Sequence, residues 1–557
     1  MYVGIYSSFR IAWIGGCLAS VAFSNESTYK RFVDEGREAD FDRRFEDSVI
    51  EVRREFGKRH PIYIDGKERF CSDVLEERSP IDGAIIGYFQ KGTREDARLA
   101  IGSSKAAFEA WRGIGYRERA AIMVRAAEIF RERKFRVSAI LSIENGKSRY
   151  ESMGEVDEAI DFLNYYSSDI IRNRGYIRRE RIVGGRRASL GFQGSPGGGE
   201  SISIRMRPYG VFGVIAPFNF PISISVGMST GALITGNTVV FKPSSTDNMT
   251  MLTGLEIYNV FKMAGVPGGV FNFVTGPGSD VGDEIANNPD VSGVVFTGSK
   301  STGLGMMRKG LDARMHKVFV VEMGGKNPAI VSKYADIDTA VSGVVSAAFG
   351  YSGQKCSALS RVYVQRQIKE EFISRLIDRT RKLSIGNPLV KGNYVGPLIS
   401  ESAYKRYAEA VEIAKRSGRV LYGGNRVRSV ERGFYVEPSV VEVGSDNELM
   451  RRELFAPILA ITSYEDIQDA LRMANDTEYG LCAALYSKNR KEIRYFSDMI
   501  DAGVVYINRE SSATTGAIVG RHTFVGWKWS GTSGKGTGSR FYLEQFMREQ
   551  SLSLAAE

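Results

Sequence analysis

Short runs of β-branched and aromatic residues, at 211–215, 238–242, 271–275, 293–297 and 318–321, return along this chain with helical stretches between them. Each run is apolar throughout rather than alternating, so a strand made from it must be covered on both faces. Parallel sheets wrapped by helices meet that demand, and strand–helix alternation at this spacing is their signature. A second series begins near Asn327, with runs at 328–331, 362–364 and 504–508. At 557 residues the chain has room for two packed units. The expected fold class is α/β, with two doubly wound lobes. Between Ile177 and Pro208 the composition turns to Gly, Ser and Arg around Gly194-Ser-Pro-Gly-Gly-Gly199, which reads as a protruding hairpin or a linker.

Ahead of the strand series, residues 34–59 are charged and carry Phe41, Phe45, Val49, Val52 and Phe56 at spacings of three and four, the pattern of a surface helix. Residues 61–66 read as a hairpin arm turned by Asp65-Gly66. Two amphipathic helices follow at 93–111 and 117–145, the second stopped by Asn145-Gly146. In residues 1–28, Arg10 precedes an uncharged run and Ser20-Val21-Ala22 has the form of a signal-peptidase site. One Arg at position 10 makes a poor charged region, and an N-terminal extension is the simpler reading.

Several function classes fall away. No stretch reaches the ~20 apolar residues that span a bilayer, so no membrane association is expected. Four scattered cysteines make neither a disulfide framework nor a zinc site, which fits a reducing, cytoplasmic location. Three distant histidines lack ligand spacing, so no metal is expected. A net charge of +10 over this length does not demand nucleic acid.

The candidate chemistry lies at strand ends. The run ending at Thr297 enters Gly298-Ser-Lys-Ser-Thr-Gly303 before a helix pattern, and a glycine turn at a helix N-terminus suits a phosphate. Gly276-Pro-Gly-Ser-Asp-Val-Gly282 also follows a strand but misses the dinucleotide fingerprint. Such turns are met as often without any ligand. Lys242 ends a strand before Pro243, at the sheet edge where nucleotides bind in doubly wound folds. Cys356, in Gly353-Gln-Lys-Cys-Ser-Ala358, stands beside a cation in a polar turn, where a lowered pKa makes a nucleophile; buried structural cysteine is the commoner alternative, and it is the reading for Cys17, Cys71 and Cys482. Glu322 leaves an apolar strand at a flexible Gly-Gly corner, where partial burial raises a carboxyl toward general-base range, although a cap or ion pair is an equal alternative. Asn219, held between Pro217 and Pro221, offers an amide to an oxyanion or serves turn geometry alone.

In order, the chain shows Pro217-Phe-Asn-Phe-Pro221, Phe241-Lys-Pro243, Phe296-Thr-Gly-Ser299, Glu322-Met-Gly-Gly-Lys326, Gly353-Gln-Lys-Cys356, Glu453-Leu-Phe-Ala-Pro457 and Asn475-Asp-Thr-Glu-Tyr-Gly480. Seven ordered motifs resemble the aldehyde dehydrogenase superfamily from about Tyr29 to Ser551. That resemblance implies Cys356 as nucleophile, Glu322 as general base, and Asn219 with the Cys356 N–H as oxyanion hole. It implies Lys242 and Glu453 on the cofactor riboses, Gly298, Ser299 and Gly303 at the pyrophosphate, and Phe455 at the nicotinamide. A Rossmann-like cofactor domain (29–176 and 209–321), a catalytic domain (322–510) and an arm and tail with a substrate-anchor loop (177–208 and 511–557) follow from the same likeness, as does a homo-oligomer of at least two chains.

Within the superfamily, Gln354-Lys-Cys-Ser-Ala358 and Thr514-Thr-Gly-Ala-Ile-Val-Gly520 resemble the 1-pyrroline-5-carboxylate dehydrogenase branch, which oxidises L-glutamate γ-semialdehyde to glutamate in proline degradation. Ser357, Thr515, Gly516 and Ala517 are then the expected grip on the substrate carboxylate. The cofactor implied is NAD, with NADP tolerated, since Ser245 stands where NAD-restricted relatives tend to carry a carboxylate. Two departures, Thr523-Phe-Val-Gly526 for Pro-Phe-Gly-Gly and Phe455-Ala-Pro457 for Phe-Gly-Pro, bear on the substrate more than on the reaction. The alternatives are another carboxylated semialdehyde (2,5-dioxopentanoate or succinate semialdehyde) and, from a different class, a nucleic-acid binder using the arginines between Arg172 and Arg187.

Overall fold

A computed structural model describes residues 23–182, 200–311, 316–428 and 432–555. Two seven-stranded sheets carry the fold. In the first, Val318–Met323, Val291–Gly298, Val211–Ile215, Thr238–Lys242 and Phe271–Phe273 lie side by side in parallel, and the hairpin Ile62–Ile64/Lys67–Arg69 adds two antiparallel strands at the far edge. That hairpin turns on Asp65 (φ 56°) and Gly66 (φ 73°), the left-handed pair that an Asp-Gly turn supplies. Alternate residues of one strand serve opposite cores: Val239 and Phe241 pack with Phe130 and Phe261, while Val240 packs with Val281 and Ile285. Both faces are covered, as the unbroken apolar runs require.

The second sheet runs Gly418–Tyr422, Ser439–Val443, Ile458–Tyr464, Leu359–Gln365, Asn327–Val331, Cys482–Tyr486 and Val504–Ile507, with only the first strand antiparallel. The sheets are joined directly. Val318–Met323, at the edge of the first, leads through Gly324-Gly-Lys326 into Asn327–Val331, an interior strand of the second beside the central Leu359–Gln365. Register fixes what meets at that junction: Ile215 pairs with Lys242 and with Phe296, and Thr297 with Glu322. The carboxyl ends of the first sheet therefore face the amino ends of the second, where Leu359–Gln365 starts three residues after Cys356.

A separate antiparallel sheet joins Ile177–Ile182, Glu200–Pro208 and the C-terminal strand Met547–Ala555. The glycine-rich stretch at 194–199, the whole of the leader pattern before residue 23, and Cys17 lie outside the described residues. No described helix is long and apolar enough to cross a membrane.

The helix expected over 34–59 is shorter, Glu38–Arg53: Gly36, at φ 67°, separates it from the preceding helix Thr28–Asp34, Phe56 falls in the turn beyond, and Lys58–His60 is a strand. The break folds Phe32, Phe41 and Phe45 onto Phe135 and Met153 as a small aromatic core. Arg149 staples this unit to the rest. Fully buried, it bonds Asp42 (2.7 Å), Glu46 (3.1 Å) and the carbonyl of Leu389 (2.6 Å), tying three distant segments. Removing one partner of a buried ion pair strands the other, so Arg149→Ala should lower stability by about 3 kcal/mol, read as a fall in melting temperature; an unchanged melting temperature would assign the staple no weight.

Candidate active site

The nucleophile loop is shaped by strain and by tight approach. Tyr351, Ser352 and Gly353 hold φ near 50°, 54° and 67°, an uncommon left-handed run that turns the chain sharply out of helix Ile337–Phe349. Ser352 Oγ donates to Gly396 O (2.8 Å), and Gln354 Oε1 accepts from Ile399 N (2.9 Å), so the turn is pinned on both sides of the strain. Asn219 is buried and donates Nδ2 to Gln354 O (3.1 Å), which seats its amide against the same loop. Asn327 completes the clamp: Nδ2 donates to Cys356 O (2.8 Å) and Ala358 O (2.9 Å), while Oδ1 accepts from Cys482 N (2.9 Å).

The Gly-Gly corner explains how Glu322 and Cys356, 34 residues apart, come to share one wall. A Cβ at Gly325 would sit 2.4 Å from Cys356 O, and one at Gly324 would sit 2.2 Å from the Glu453 carboxylate. Only glycine permits either approach. Glu322 lies within its strand rather than after it, opposite Thr297 and bridged to Gly531. Its Oε2 is buried with no partner, and desolvation pushes the carboxyl up to about 8.

The thiol of Cys356 departs from expectation. Instead of being lowered it is pushed up to about 12, first by desolvation and then by the carboxylates of Glu453 and Glu322. The expected helper Lys355 is engaged elsewhere, in an ion pair with Glu151. Adjacency in sequence does not place the ammonium on the sulfur.

Cys356, Glu322, Ser357, Thr515, Gly516 and Ala517 line one cavity of about 800 Å³. Ser357 is nearly buried, and its carbonyl accepts from Thr514 Oγ1 (2.6 Å), joining the 512–520 loop to the nucleophile turn. Phe524 lines the same wall, inside the motif where Thr523 and Val525 depart from the superfamily pattern. The opposite wall is acidic, with Glu151, Glu155 and Glu158 from helix Arg149–Arg172. Lys147 pairs with Glu155 and lies over the Phe220 ring (3.5 Å), while Glu155 caps helix Ser223–Ile234 through Ile222 N (2.8 Å). Residues 25–30, which suggested no role, close the cavity: Asn25 Nδ2 donates to Asp161 and to Val519 O (both 2.9 Å), and Thr28 Oγ1 to Asp157 (2.7 Å). Nothing in their spacing marks them, since they act through contacts more than a hundred residues away.

The remaining candidates gather along the first sheet's carboxyl edge, where a nucleotide fits the donors present. Lys242 is buried, its ammonium pushed down to about 8 by desolvation and bonded to Pro243 O (3.2 Å). Ser245 is also buried and turns its hydroxyl onto Pro243 O (2.9 Å). Gly298 and Ser299 precede helix Lys300–Leu311, the Ser299 hydroxyl accepting from Thr302 N (3.3 Å). Gly303 is not in that turn; it lies inside the helix, where a Cβ would meet Val321 and Met323 at 2.9 Å, so it sets helix–sheet packing. Glu453 accepts from Gly325 N (2.8 Å) and is pushed up to about 7 by burial; Phe455, at φ 55°, lies edge-on to Phe218 at 5.7 Å. The 276–282 turn folds into a single π turn before the short helix Asp283–Asn287, away from this cavity.

A thiol, a desolvated carboxyl and a buried amide at the junction of two doubly wound sheets fit an enzyme of aldehyde oxidation. The chain belongs to the aldehyde dehydrogenase family, whose model matches residues 68–552. 1-Pyrroline-5-carboxylate dehydrogenase 1 of Halalkalibacterium halodurans is 36% identical over 516 residues, covering 91% of this chain and 95% of that one. The 1-pyrroline-5-carboxylate dehydrogenase of Bacillus cytotoxicus is 35% identical over 518 residues, with the same coverage. The crystal structure of 1-pyrroline-5-carboxylate dehydrogenase from Thermus with bound NAD superimposes with a TM-score of 0.86 at 32% identity, over 96% of this chain and 99% of that one.

Asn327 holds three backbone groups of the nucleophile turn and the neighbouring strand. Asn327→Ala should lower stability by about 2–4 kcal/mol, seen in the melting temperature; a drop within error would show that these groups find other partners.

Proposed function

We propose that this enzyme oxidises L-glutamate γ-semialdehyde, the open form of 1-pyrroline-5-carboxylate, to L-glutamate with NAD, as the relatives' names indicate. The observation that carries this reading is the cavity itself. It brings thiol and carboxyl together with groups for a zwitterion: backbone N–H groups of Gly516 and Ala517 with the Ser357 hydroxyl for a carboxylate, and Glu158 for an ammonium, Glu151 and Glu155 being paired with Lys355 and Lys147. 2,5-Dioxopentanoate and succinate semialdehyde carry no ammonium, so the acidic wall favours the amino acid aldehyde over both.

The steps follow from the residues. The Cys356 sulfur adds to the aldehyde carbon, and the resulting oxyanion takes hydrogen bonds from the Asn219 amide and the Cys356 N–H. The thiol is desolvated and near carboxylates, so its proton must leave to solvent as the C–S bond forms, which keeps Glu322 free for the later step. NAD, when bound, supplies the acceptor for the hydride released as the oxyanion collapses to a thioester. Glu322 then takes a proton from water to hydrolyse that thioester. Its own burial makes it a strong enough base for the task. Lys242 and Glu453 would hold the riboses, Gly298 and Ser299 with the helix N-terminus the pyrophosphate, and Phe455 the nicotinamide. Ser245 offers no carboxylate to repel a 2′-phosphate, which supports tolerance of NADP.

We likewise assign residues 29–176 and 209–321 to the cofactor domain, 322–510 to the catalytic domain, and 177–208 with 511–557 to the anchor loop, arm and tail. Among the described residues Met547–Ala555 is an edge strand of the arm sheet with Leu554 exposed, which supports assembly with a second copy. Cys71, Cys356 and Cys482 are free thiols, which supports a reducing, cytoplasmic setting.

Since a base works only when ionised, steady-state kcat should rise with pH toward a limb near 8, the value to which burial pushes Glu322. Glu322→Gln should abolish that limb and slow turnover about 10²-fold or more while leaving a rapid first burst of NADH; a burst as slow as turnover would assign Glu322 elsewhere. Charged hydrogen bonds contribute about 1.5–3 kcal/mol each, so kcat/KM for glutamate semialdehyde should exceed that for pentanal by roughly 10³-fold, and Ser357→Ala should cut the ratio about tenfold. Equal kcat/KM for the two aldehydes would reject the substrate assignment.

A further inference from the structure

We infer that Arg509 is the positioning residue that aims the substrate-carboxylate donors, an inference that rests on the substrate reading above. Arg509 does not line the cavity; it lies behind the 512–520 loop. Its Nη1 donates to Thr515 O and its Nη2 to Gly516 O, both at 2.9 Å. A trans peptide points its C=O and N–H in opposite directions. The carbonyl of Thr515 shares its peptide with the N–H of Gly516, and the carbonyl of Gly516 with the N–H of Ala517. One guanidinium fork on two successive carbonyls therefore turns two successive N–H groups away from itself, toward the side of the loop that forms the cavity wall.

Three further observations fit that role. Neither Gly516 N nor Ala517 N has a hydrogen-bond acceptor among the described residues, although their neighbours do: Thr515 N bonds Ser512 Oγ and Ile518 N bonds His522 Nδ1. Gly516 sits at φ +81°, and a Cβ there would lie 3.2 Å from Arg509 Nη2, so the loop rests directly on the guanidinium. Arg509 is itself seated, its guanidinium 4.6 Å from the centre of the Tyr506 ring and its carbonyl accepting from Tyr486 OH at 2.8 Å. A positive charge on the carbonyl side also polarises both amides and strengthens their N–H groups as donors. Lysine cannot reproduce this, because one ammonium lacks the planar fork.

The test measures kcat and KM for L-glutamate γ-semialdehyde and for pentanal in wild type, Arg509→Ala and Arg509→Lys. Arg509→Ala should raise KM for the semialdehyde and lower its kcat/KM about 10- to 100-fold, while pentanal, which has nothing for the loop to hold, changes less than about threefold. Millimolar guanidinium ion should restore part of the lost selectivity, methylammonium should not, and Arg509→Lys should fall between the other two. Equal losses for both aldehydes, with no rescue, would make Arg509 a structural residue only. A semialdehyde preference that survives in Arg509→Ala, or in Arg509→Lys at full strength, would overturn the aiming role and leave the substrate reading standing. A wild-type enzyme without any preference would overturn both.

Discussion

Everything at this site depends on the close passage of the Gly324-Gly325 corner beneath the nucleophile turn. It is the covalent link that carries the edge strand of the first sheet into the interior of the second, and it brings Glu322, Glu453 and Cys356 close together. A side chain at either glycine would collide with a carbonyl or a carboxylate, so the corner has no tolerance for bulk. The electrostatic character of the centre follows from the same geometry. Carboxyls at Glu322 and Glu453 and the thiol of Cys356 are all shifted toward their neutral forms, with burial the leading cause in each. Neutral groups poised to ionise suit a reaction that must move a proton off sulfur and later off water.

Around that centre the structure spends its charged residues on shape. Glu155 is bonded by Lys147 and by two backbone N–H groups at the start of helix Ser223–Ile234. Asp157 and Asp161 anchor residues 25–28, and Asn25 reaches on to Val519 in the loop facing the nucleophile. The cavity is thus bordered by segments remote in sequence: residues 25–28 and 222–223 are bonded to helix Arg149–Arg172, and the loop at Val519 is bonded to Asn25. Buried pairs of this kind contribute little net stability, and their value here is registry.

The strand series and both lobes were legible because runs buried on two faces leave an unbroken apolar signal. Motif order singled out Cys356, Glu322, Lys242 and Glu453, and the structure brings Cys356, Glu322 and Glu453 close together. What was hidden had physical causes. The pKa direction of Cys356 depends on where Lys355 finds its partner, and Glu151 lies some two hundred residues away. Gly303 reads as a phosphate-turn residue in the sequence, yet the helix already begins at Lys300 and the glycine serves packing. The late start of the helix at Glu38 needed the positive φ of Gly36, and the carboxylates along the cavity needed the rotation of a long helix whose charges look solvated in the sequence. Arg509 stood in a β-strand flank with no motif to mark it, and only the paired carbonyls give it meaning.

The central claim is that desolvation, unrelieved by a neighbouring cation, keeps Cys356 as a thiol in the free enzyme. Its direct test is the pH dependence of Cys356 alkylation by iodoacetamide in the absence of cofactor, with Cys356→Ala as the blank for the other thiols. The account requires a rate that still climbs above pH 9 without a plateau, and that is faster at each pH in Glu322→Gln, where one opposing carboxylate is gone. A plateau reached below pH 7 would show a preformed thiolate and contradict it.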